Sequence, residues 1–485
     1  MSSVLKGGRL RATRKDVVNF ISSFEDDKRI ANAIILVNEA HVIALTKSGA
    51  IERSTARRIL RALKQLESKK LLNKGFEDFH VLIEENVTKR SGREIGGYLH
   101  LGKSRNDQVA TAIRMTLREA ILELSSRLLE LEAELVRSAG KHTESVFPGY
   151  THLQPAQPIS FAHYLLANGD SLLRDNERLI EAYRRVNRSA MGAAAIAGTS
   201  IHLDRDLIAR LLGFDGTVEI SLDAVGSRDF VVETLSVCTL IALDLSRIAQ
   251  DFIFYSSAEV SLIALPDEFT STSSIMPQKK NPDPLELVRA KCAKVIGNLS
   301  TSAITLHGLP SGYNLDFQEI TPLLWQSIDE LNSCLQIVTA LVPKVDVDKT
   351  ISKRQYLQYT AATEVANVLV REEKIPFRTA HHAVGSAVRT ALQQSKSLQD
   401  LTRADWERVV GKKIRGSTFD AVLRTLDLKR HLDYYRTKGS PNPKEMLRNV
   451  YRRNHECQRL LRTNEKLRRS LQKSAEGLRT IRDGT

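Results

Sequence analysis

From Val109 onward the apolar residues fall at Ile113, Leu117, Ile121, Leu124, Leu128, Leu131 and Leu135. Steps of four and three sustained over that distance describe one long amphipathic helix, because 3.6 residues per turn return such positions to a single face. Comparable patterns recur from Phe161 to Val186, Phe230 to Ile263, Leu285 to Leu306 and Leu323 to Leu341. Five long helices with few strand-like alternations predict an all-α protein built on a bundle. Rods of about 25–35 residues span roughly 40–50 Å, well beyond the average globular helix. Such rods rarely bury both flanks within one chain, so an oligomer is expected.

The 485 residues are 42% apolar and 26% charged, an ordinary globular mixture. A chain this long buries roughly three-quarters of its unfolded surface and needs no metal or disulfide staple. With only 25 glycines and 13 prolines, collagenous, disordered and turn-dense all-β classes are excluded. The most apolar stretch, Val231 to Ile248, carries Glu233, Asp244 and Arg247, which excludes a membrane span. The opening residues Met1 to Arg9 hold no apolar segment, so no secretory signal is expected. Cys238, Cys292, Cys334 and Cys457 are scattered without a CxxC pair, which argues against a zinc site and suits a reducing cytoplasm.

Glycine and proline clusters divide the chain into an N-terminal helical domain (1–105), a central helical bundle (106–350), a C-terminal helical domain (351–440) and a basic amphipathic helix (441–485). Joints fall at Gly92 to Gly102, Pro148 to Pro158, the small-residue run Gly192 to Gly198, and a Ser/Thr-rich loop from Leu265 to Pro284. The net charge is +14, and residues 441–485 hold twelve lysines and arginines against five acids. Apolar positions there, Val450, Cys457, Leu460, Leu467, Leu471, Leu478 and Ile481, approach a heptad seam interrupted by Arg453, Asn464 and Ser474. Three readings stay open: a packing or partner helix, a solvated helix, and a nucleic-acid contact. No interleaved aromatics or recognised module accompany the charge, which argues against nucleic acid. A basic body also draws in a polyanionic small substrate through its field.

The most informative stretch is Thr272-Ser-Ser-Ile-Met-Pro-Gln-Lys-Lys-Asn-Pro282, between two long helices. Two serines, two lysines, an amide and backbone N–H groups concentrate anion-binding and proton-handling chemistry. An alkoxide at Ser273, ringed by Lys⁺ and oriented amides, would form far more readily than in water. A polar linker with solvated lysines is the plain alternative. A second element, Gly149-Tyr-Thr-His152-Leu-Gln, sets an imidazole between Thr151 and Gln154, which supply the fixed hydrogen bonds acid–base chemistry needs. A third, His100-Leu-Gly-Lys-Ser-Arg-Asn-Asp107, falls where the first long helix begins. A helix N-terminus attracts anions, and Arg105 adds a bidentate fork for carboxylate. Ser104 or Asn106 also suits an ordinary cap there.

In this order and at these separations the three stretches resemble the fumarase/aspartase superfamily. Its signature Gly-Ser-Ser-x-Met-Pro-x-Lys-x-Asn-Pro is matched from Ser273, with Thr272 in place of glycine. Ser104-Arg-Asn-Asp-Gln-Val109, the His152 segment, Met276 to Asp283 and Gly308-Leu-Pro-Ser-Gly-Tyr-Asn-Leu-Asp-Phe-Gln318 are similar to the argininosuccinate lyase branch. The resemblance spans residues 75 to 445 or so. It implies a three-domain fold with a central long-helix bundle, and a homotetramer whose active sites draw on three chains. The implied reaction is reversible β-elimination of argininosuccinate to arginine and fumarate, a small-molecule chemistry needing no cofactor or metal. The absence of GxGxxG and HExxH motifs agrees.

Laid onto matching positions, Ser273 is the implied base. Lys279 and Asn281 would hold the carboxylate as it becomes a dianion, and Glu286 would orient His152 for acid catalysis at the leaving guanidinium. Ser104, Arg105, Asn106 and Thr151 would grip the fumarate-side carboxylates, while Tyr313 and Gln318 would contact the arginine side. Three departures stand out. Thr272 replaces a glycine that would permit φ > 0 or close approach. Pro155 replaces a common arginine. Thr321 stands where a lysine usually follows, so one contact to the arginine-side carboxylate is either missing or supplied elsewhere. The head segment around Asp26 to Asn32 and His41 matches the pattern poorly and contributes no binding residue. Another fumarate-releasing lyase, adenylosuccinate lyase-like, and a catalytically silent structural homologue are the alternatives.

Overall fold

In the computed structural model, which describes residues 13–66 and 76–485, the longer helices before the bundle are α1 (Ala31–Lys47), α2 (Arg53–Lys64) and α3 (Phe79–Ser91). Met1 to Arg9, where no signal segment was expected, lie outside the described residues. The first long periodicity then folds as α4 (Arg105–Lys141), whose buried face carries Ile113, Leu117, Ile121, Leu124, Leu128, Leu131 and Leu135. A hairpin follows, β1 (Val146–Thr151) with β2 (Gln154–Ser160), where the sequence suggested only a loop. The bundle continues with α5 (Phe161–Val186) and α6 (Asp229–Ser256). A two-residue ladder, β3 (Ser271–Thr272) with β4 (Lys280–Asn281), leads into α7 (Asp283–Leu306) and α8 (Phe317–Leu341).

Two boundaries differ from the periodic reading. The apolar pattern to Ile263 overruns its helix, which stops at Ser256 because Ser257 turns extended (ψ 150°). Ile263 instead pairs with Val347 as a short strand. At the other joint α8 starts at Phe317, before Pro322 rather than after it. The proline reads as a start signal, yet so near the N-terminus it leaves only one carbonyl without its amide partner.

Side-chain contacts fix the directions of the rods. Arg114 of α4 stacks on Phe230 of α6 at 3.9 Å, so these helices start at the same end. Tyr164, early in α5, hydrogen-bonds Asp251, late in α6, at 3.0 Å, so α5 runs the opposite way. Arg228, just before α6, lies over Phe317, the first residue of α8. Arg289, early in α7, bonds Gln250, late in α6, so α7 runs back again.

Beyond the bundle lie α9 (Ala362–Glu373), α10 (Phe377–Gln393), α11 (Arg403–Val410) and α12 (Gly416–Leu426). Last comes α13 (Pro443–Gly484), a 42-residue rod laid along α4. Its buried stripe is Met446, Arg453, Cys457, Asn464, Leu471 and Leu478. Arg453 and Asn464, expected to interrupt the seam, belong to it. Asn464 Nδ2 donates to Leu122 O and Ser126 Oγ, both at 2.9 Å, and Arg453 faces the buried Glu132 at 3.8 Å. Near its end Arg482 pairs with Glu39 of α1 at 2.8 Å. This is a packing helix. The four cysteines are buried and unpaired. Among the described residues no helix is long and apolar enough to cross a membrane.

Candidate active site

The turn that opens α4 carries three anticipated substrate contacts. Ser104 Oγ accepts the Asn106 N–H (3.3 Å) while Asp107 Oδ1 accepts the Ser104 N–H (3.0 Å), a capping box. Asp107 Oδ2 accepts two more N–H bonds, from Gly192 (3.1 Å) and Ala194 (2.9 Å). That explains the small-residue run: Gly192 and Ala194 take φ of 84° and 51° to aim their amides at the carboxylate. A Cβ on Gly192 would also sit 2.7 Å from Arg205 Cγ. Burial nevertheless raises the Asp107 carboxyl to about 6. Asn106 Nδ2 donates to Ala195 O at 3.2 Å.

Arg105 is not idle. Its Nη1 lies 3.1 Å from Glu77 and 2.9 Å from Asp78. With Tyr313 and Gln318 it lines a narrow pocket at this end of the bundle. Asp26, Asp27, His80 and Arg228 line it too, and none of these was singled out from the sequence. Burial, then the neighbouring charge of Asp78, push the Asp27 carboxyl up to about 7. Burial also raises the Tyr313 phenol, against the pull of Arg228 and Arg105. Two buried acids and two guanidinium groups therefore surround one phenol.

The remaining residues sit at the opposite end. His152 and Leu153 form the two-residue turn of the hairpin, with φ of 54° and 57°. That is type I′ geometry, which ordinarily recruits Asn-Gly. Left-handed backbone costs a side-chain-bearing residue roughly 1–2 kcal/mol. Thr151 pairs across the turn with Gln154. Tyr150, one residue before, packs its ring on Phe254 and Tyr255, anchoring the hairpin to the C-terminal end of α6.

The serine loop springs from the same end. Ser271 pairs with Asn281 and Thr272 with Lys280, closing Ser273 to Lys279 into a loop. Ser273 Oγ accepts the N–H groups of Ile275 (3.3 Å) and Met276 (3.2 Å). Lys280 Nζ is committed to Leu265 O (2.6 Å) and Asp267 (2.7 Å). Lys279 is exposed, and its ammonium bonds nothing among the described residues. Glu286, in the first turn of α7, is likewise exposed. Thr272 takes ordinary strand backbone rather than positive φ, so the change from glycine strains nothing.

The structure thus brings Arg105, Tyr313 and Gln318 together at one end, with Ser104 and Asn106 beside Arg105, and leaves Thr151 and His152 on one loop and Ser273, Lys279, Asn281 and Glu286 on another toward the opposite end. Between them runs α6, whose 28 residues correspond to about 40 Å. Among the described residues no hydrogen bond or ion pair joins the hairpin tip to the serine loop. Spatial neighbours from the head segment and from the stretch before α6 were missed because only tertiary packing makes them neighbours.

The long-helix bundle is that of the fumarase/aspartase lyase fold. A class II fumarase from Schistosoma mansoni shares that fold at a TM-score of 0.69 and 18% identity, over 83% of this chain and 91% of that one. EDDS lyase in complex with formate superposes at a TM-score of 0.88 with 28% identity, over 94% of this chain and 92% of that one. Residues 11–297 match the lyase family model, and residues 359–433 match the argininosuccinate lyase C-terminal model. The argininosuccinate lyase of Methanocorpusculum labreanum is 40% identical over 452 residues, 92% of either chain. That of Methanothrix thermoacetophila is 44% identical over 452 residues, 92% of this chain and 91% of its own. The chain belongs to the argininosuccinate lyase family.

Proposed function

We propose that the protein eliminates fumarate from L-argininosuccinate, releasing L-arginine in a reversible reaction. The observation that carries this reading is Ser273, whose Oγ already accepts two main-chain N–H groups. Donors aimed at an oxygen favour its alkoxide over its hydroxyl. As base, Ser273 takes the proton next to the succinyl carboxylate, and the electron pair left on carbon spreads into that carboxylate. Lys279 and Asn281 hold the resulting dianion, each well-placed donor contributing about 3–4 kcal/mol. The pair then moves in to form the carbon–carbon double bond of fumarate as the carbon–nitrogen bond breaks, its electrons leaving with the guanidine nitrogen. His152, oriented by Glu286, assists at that leaving group. Ser104, Arg105, Asn106 and Thr151 hold the fumarate-side carboxylates, and Tyr313 and Gln318 contact the arginine side.

The pocket around Tyr313 supports an amino-acid end. Burial, then the charge of Asp78, push Asp27 up to about 7, and an ammonium or guanidinium beside these acids would be favourable. The separation of about 40 Å along α6 supports sites completed between chains, since one chain's serine loop cannot reach its own Tyr313. The reading also takes the protein as a homotetramer with three chains contributing to each site, acting in the cytoplasm. Within each chain, the divisions 1–105, 106–350, 351–440 and 441–485 are its proposed structural units. Purified protein given argininosuccinate should generate the absorbance of fumarate, and Ser273→Ala should abolish it with the oligomer intact. Fumarate from a different succinyl adduct, but none from argininosuccinate, would overturn the substrate.

A further inference from the structure

The outer face of α13 carries charge that the proposed reaction does not use. Its buried stripe packs on α4. On the opposite side of the rod run Arg448, Arg452, Arg459, Arg462, Lys466 and Lys473, all exposed. His455 and Arg469, also exposed, fill the two remaining steps, so positions recur every four and three residues along one line. At the rise of an α-helix that line is about 38 Å long. The five acids of this segment all sit off it. Arg448 lies 3.6 Å from Glu445, and Arg469 pairs with Glu465. Arg452, Arg459, Arg462, Lys466 and Lys473 form no ion pair among the described residues. A face kept merely soluble intersperses both signs, whereas a line of one sign raises a positive potential along its whole length.

Such a line fits a partner of linear, opposite charge, and the candidate polyanions differ in what else they require. A helix that adsorbs to a membrane inserts an apolar face, and the apolar face of α13 is covered by α4. A partner helix in a coiled coil needs apolar residues at the seam, where this line holds cations. A single nucleic-acid strand is gripped by aromatic stacking, and on this face only Tyr451, 69% exposed, offers a ring. Duplex DNA needs none of these. Its phosphates present one charge per 1.7 Å of axis, roughly, and one helical turn of about 34–36 Å matches the length of the line. The lack of interleaved aromatics counts against base recognition, and backbone contact does not require them.

We propose that the outer face of α13 docks the phosphate backbone of duplex DNA without regard to sequence. The assignment stands apart from the lyase reaction and does not depend on its substrate. Fluorescence anisotropy of a labelled duplex of about 16 base pairs, titrated with the full chain, tests it. Binding should reach a Kd of about 1 μM or tighter at about 50 mM salt, and log K should fall against log salt with a slope of about −5. Arg452→Gln, Arg459→Gln, Arg462→Gln and Lys466→Gln together should weaken binding at least about 100-fold and reduce the slope by about 3–4. Should that variant not fold, Arg459→Gln with Arg462→Gln should reduce the slope by about 2. Arg389→Gln, Lys396→Gln, Lys413→Gln and Arg424→Gln remove the same charge from exposed positions off α13, and they should leave the slope unchanged. No binding at about 50 mM salt, or equal losses in the two fourfold variants, overturns the proposal. So does tighter binding to a single strand of the same length, or to vesicles containing phosphatidylserine.

Discussion

The two ends of the bundle are finished to different degrees. At the Arg105 end the side chains are buried and engaged: Asp107 accepts three N–H bonds, and Arg105 leans on Glu77 and Asp78. At the Ser273 end Lys279, Glu286 and His152 stand exposed, the imidazole on a turn that works against backbone preference. The contrast teaches a division of labour. On the proposed reading, the recognition end is assembled by one chain's own packing. On the proposed assembly, the proton-transfer end stays incomplete until a neighbouring chain lays its recognition end against it.

The comparison can be broken most directly at the serine. Ser273→Ala should lower fumarate release by about 10²–10⁴-fold, the range expected for losing a general base. Helix content and oligomer size should not change. A loss of activity accompanied by dissociation would instead assign the loop to assembly. Next come mixed oligomers. Arg105→Met and Ser273→Ala should each be inactive alone, and reassembly of the two together should recover roughly a quarter of the wild-type rate, because chance places both intact ends at that share of sites. No recovery would mean that both ends serve a site within one chain.

A smaller effect sharpens the recognition end. Folded Asp27 keeps its proton up to about pH 7, whereas an unfolded aspartate loses it near pH 4. Between those values the folded chain binds the extra proton, so stability declines as pH rises from about 4 to 7. Asp27→Asn should remove this share of the slope, up to about 4 kcal/mol, and narrow the difference in Tm between pH 5 and 7.5. Asp107, Glu132 and Asp175 are raised in the same direction, so the variant should flatten the slope without abolishing it. An unchanged slope would show that Asp27 is charged in the folded chain. The smallest effect belongs to the hairpin. Leu153→Gly should stabilise the protein by about 1 kcal/mol by relieving positive φ, while freeing the tip and lowering kcat. A loss of stability would remove the strain assigned to this turn.

The long helices were legible because their apolar residues return at the period of a turn. Their ends were not: Ile263 continues the pattern of α6 but pairs with Val347. The hairpin escaped because His152-Leu153 carries none of the Asn or Gly that announce a type I′ turn. Ser273, His152 and Arg105 stood out through their local chemistry, whereas Tyr313 and Gln318 were legible only through the resemblance, since no spacing rule connects Arg105 with Tyr313. Asp27 and Arg228 share their pocket through tertiary packing alone, and the head segment fits the family pattern too poorly to flag Asp27. Arg453 and Asn464 read as interruptions because a polar residue in a seam suggests solvent, yet both find partners on α4.

Those distant partners affect how the chain reaches its native state. Asn464 meets Leu122 across 342 residues of sequence, and closing a loop of that size costs about 5 kcal/mol of chain entropy before any contact compensates. Contacts so remote form late. In any form of the chain with α13 undocked, the α4 surface it covers, Leu129 included, would be an open greasy furrow. Folding intermediates with such furrows tend to clump. The surplus cations of α13 would make such copies repel one another, so the helix that closes the furrow would also guard it beforehand.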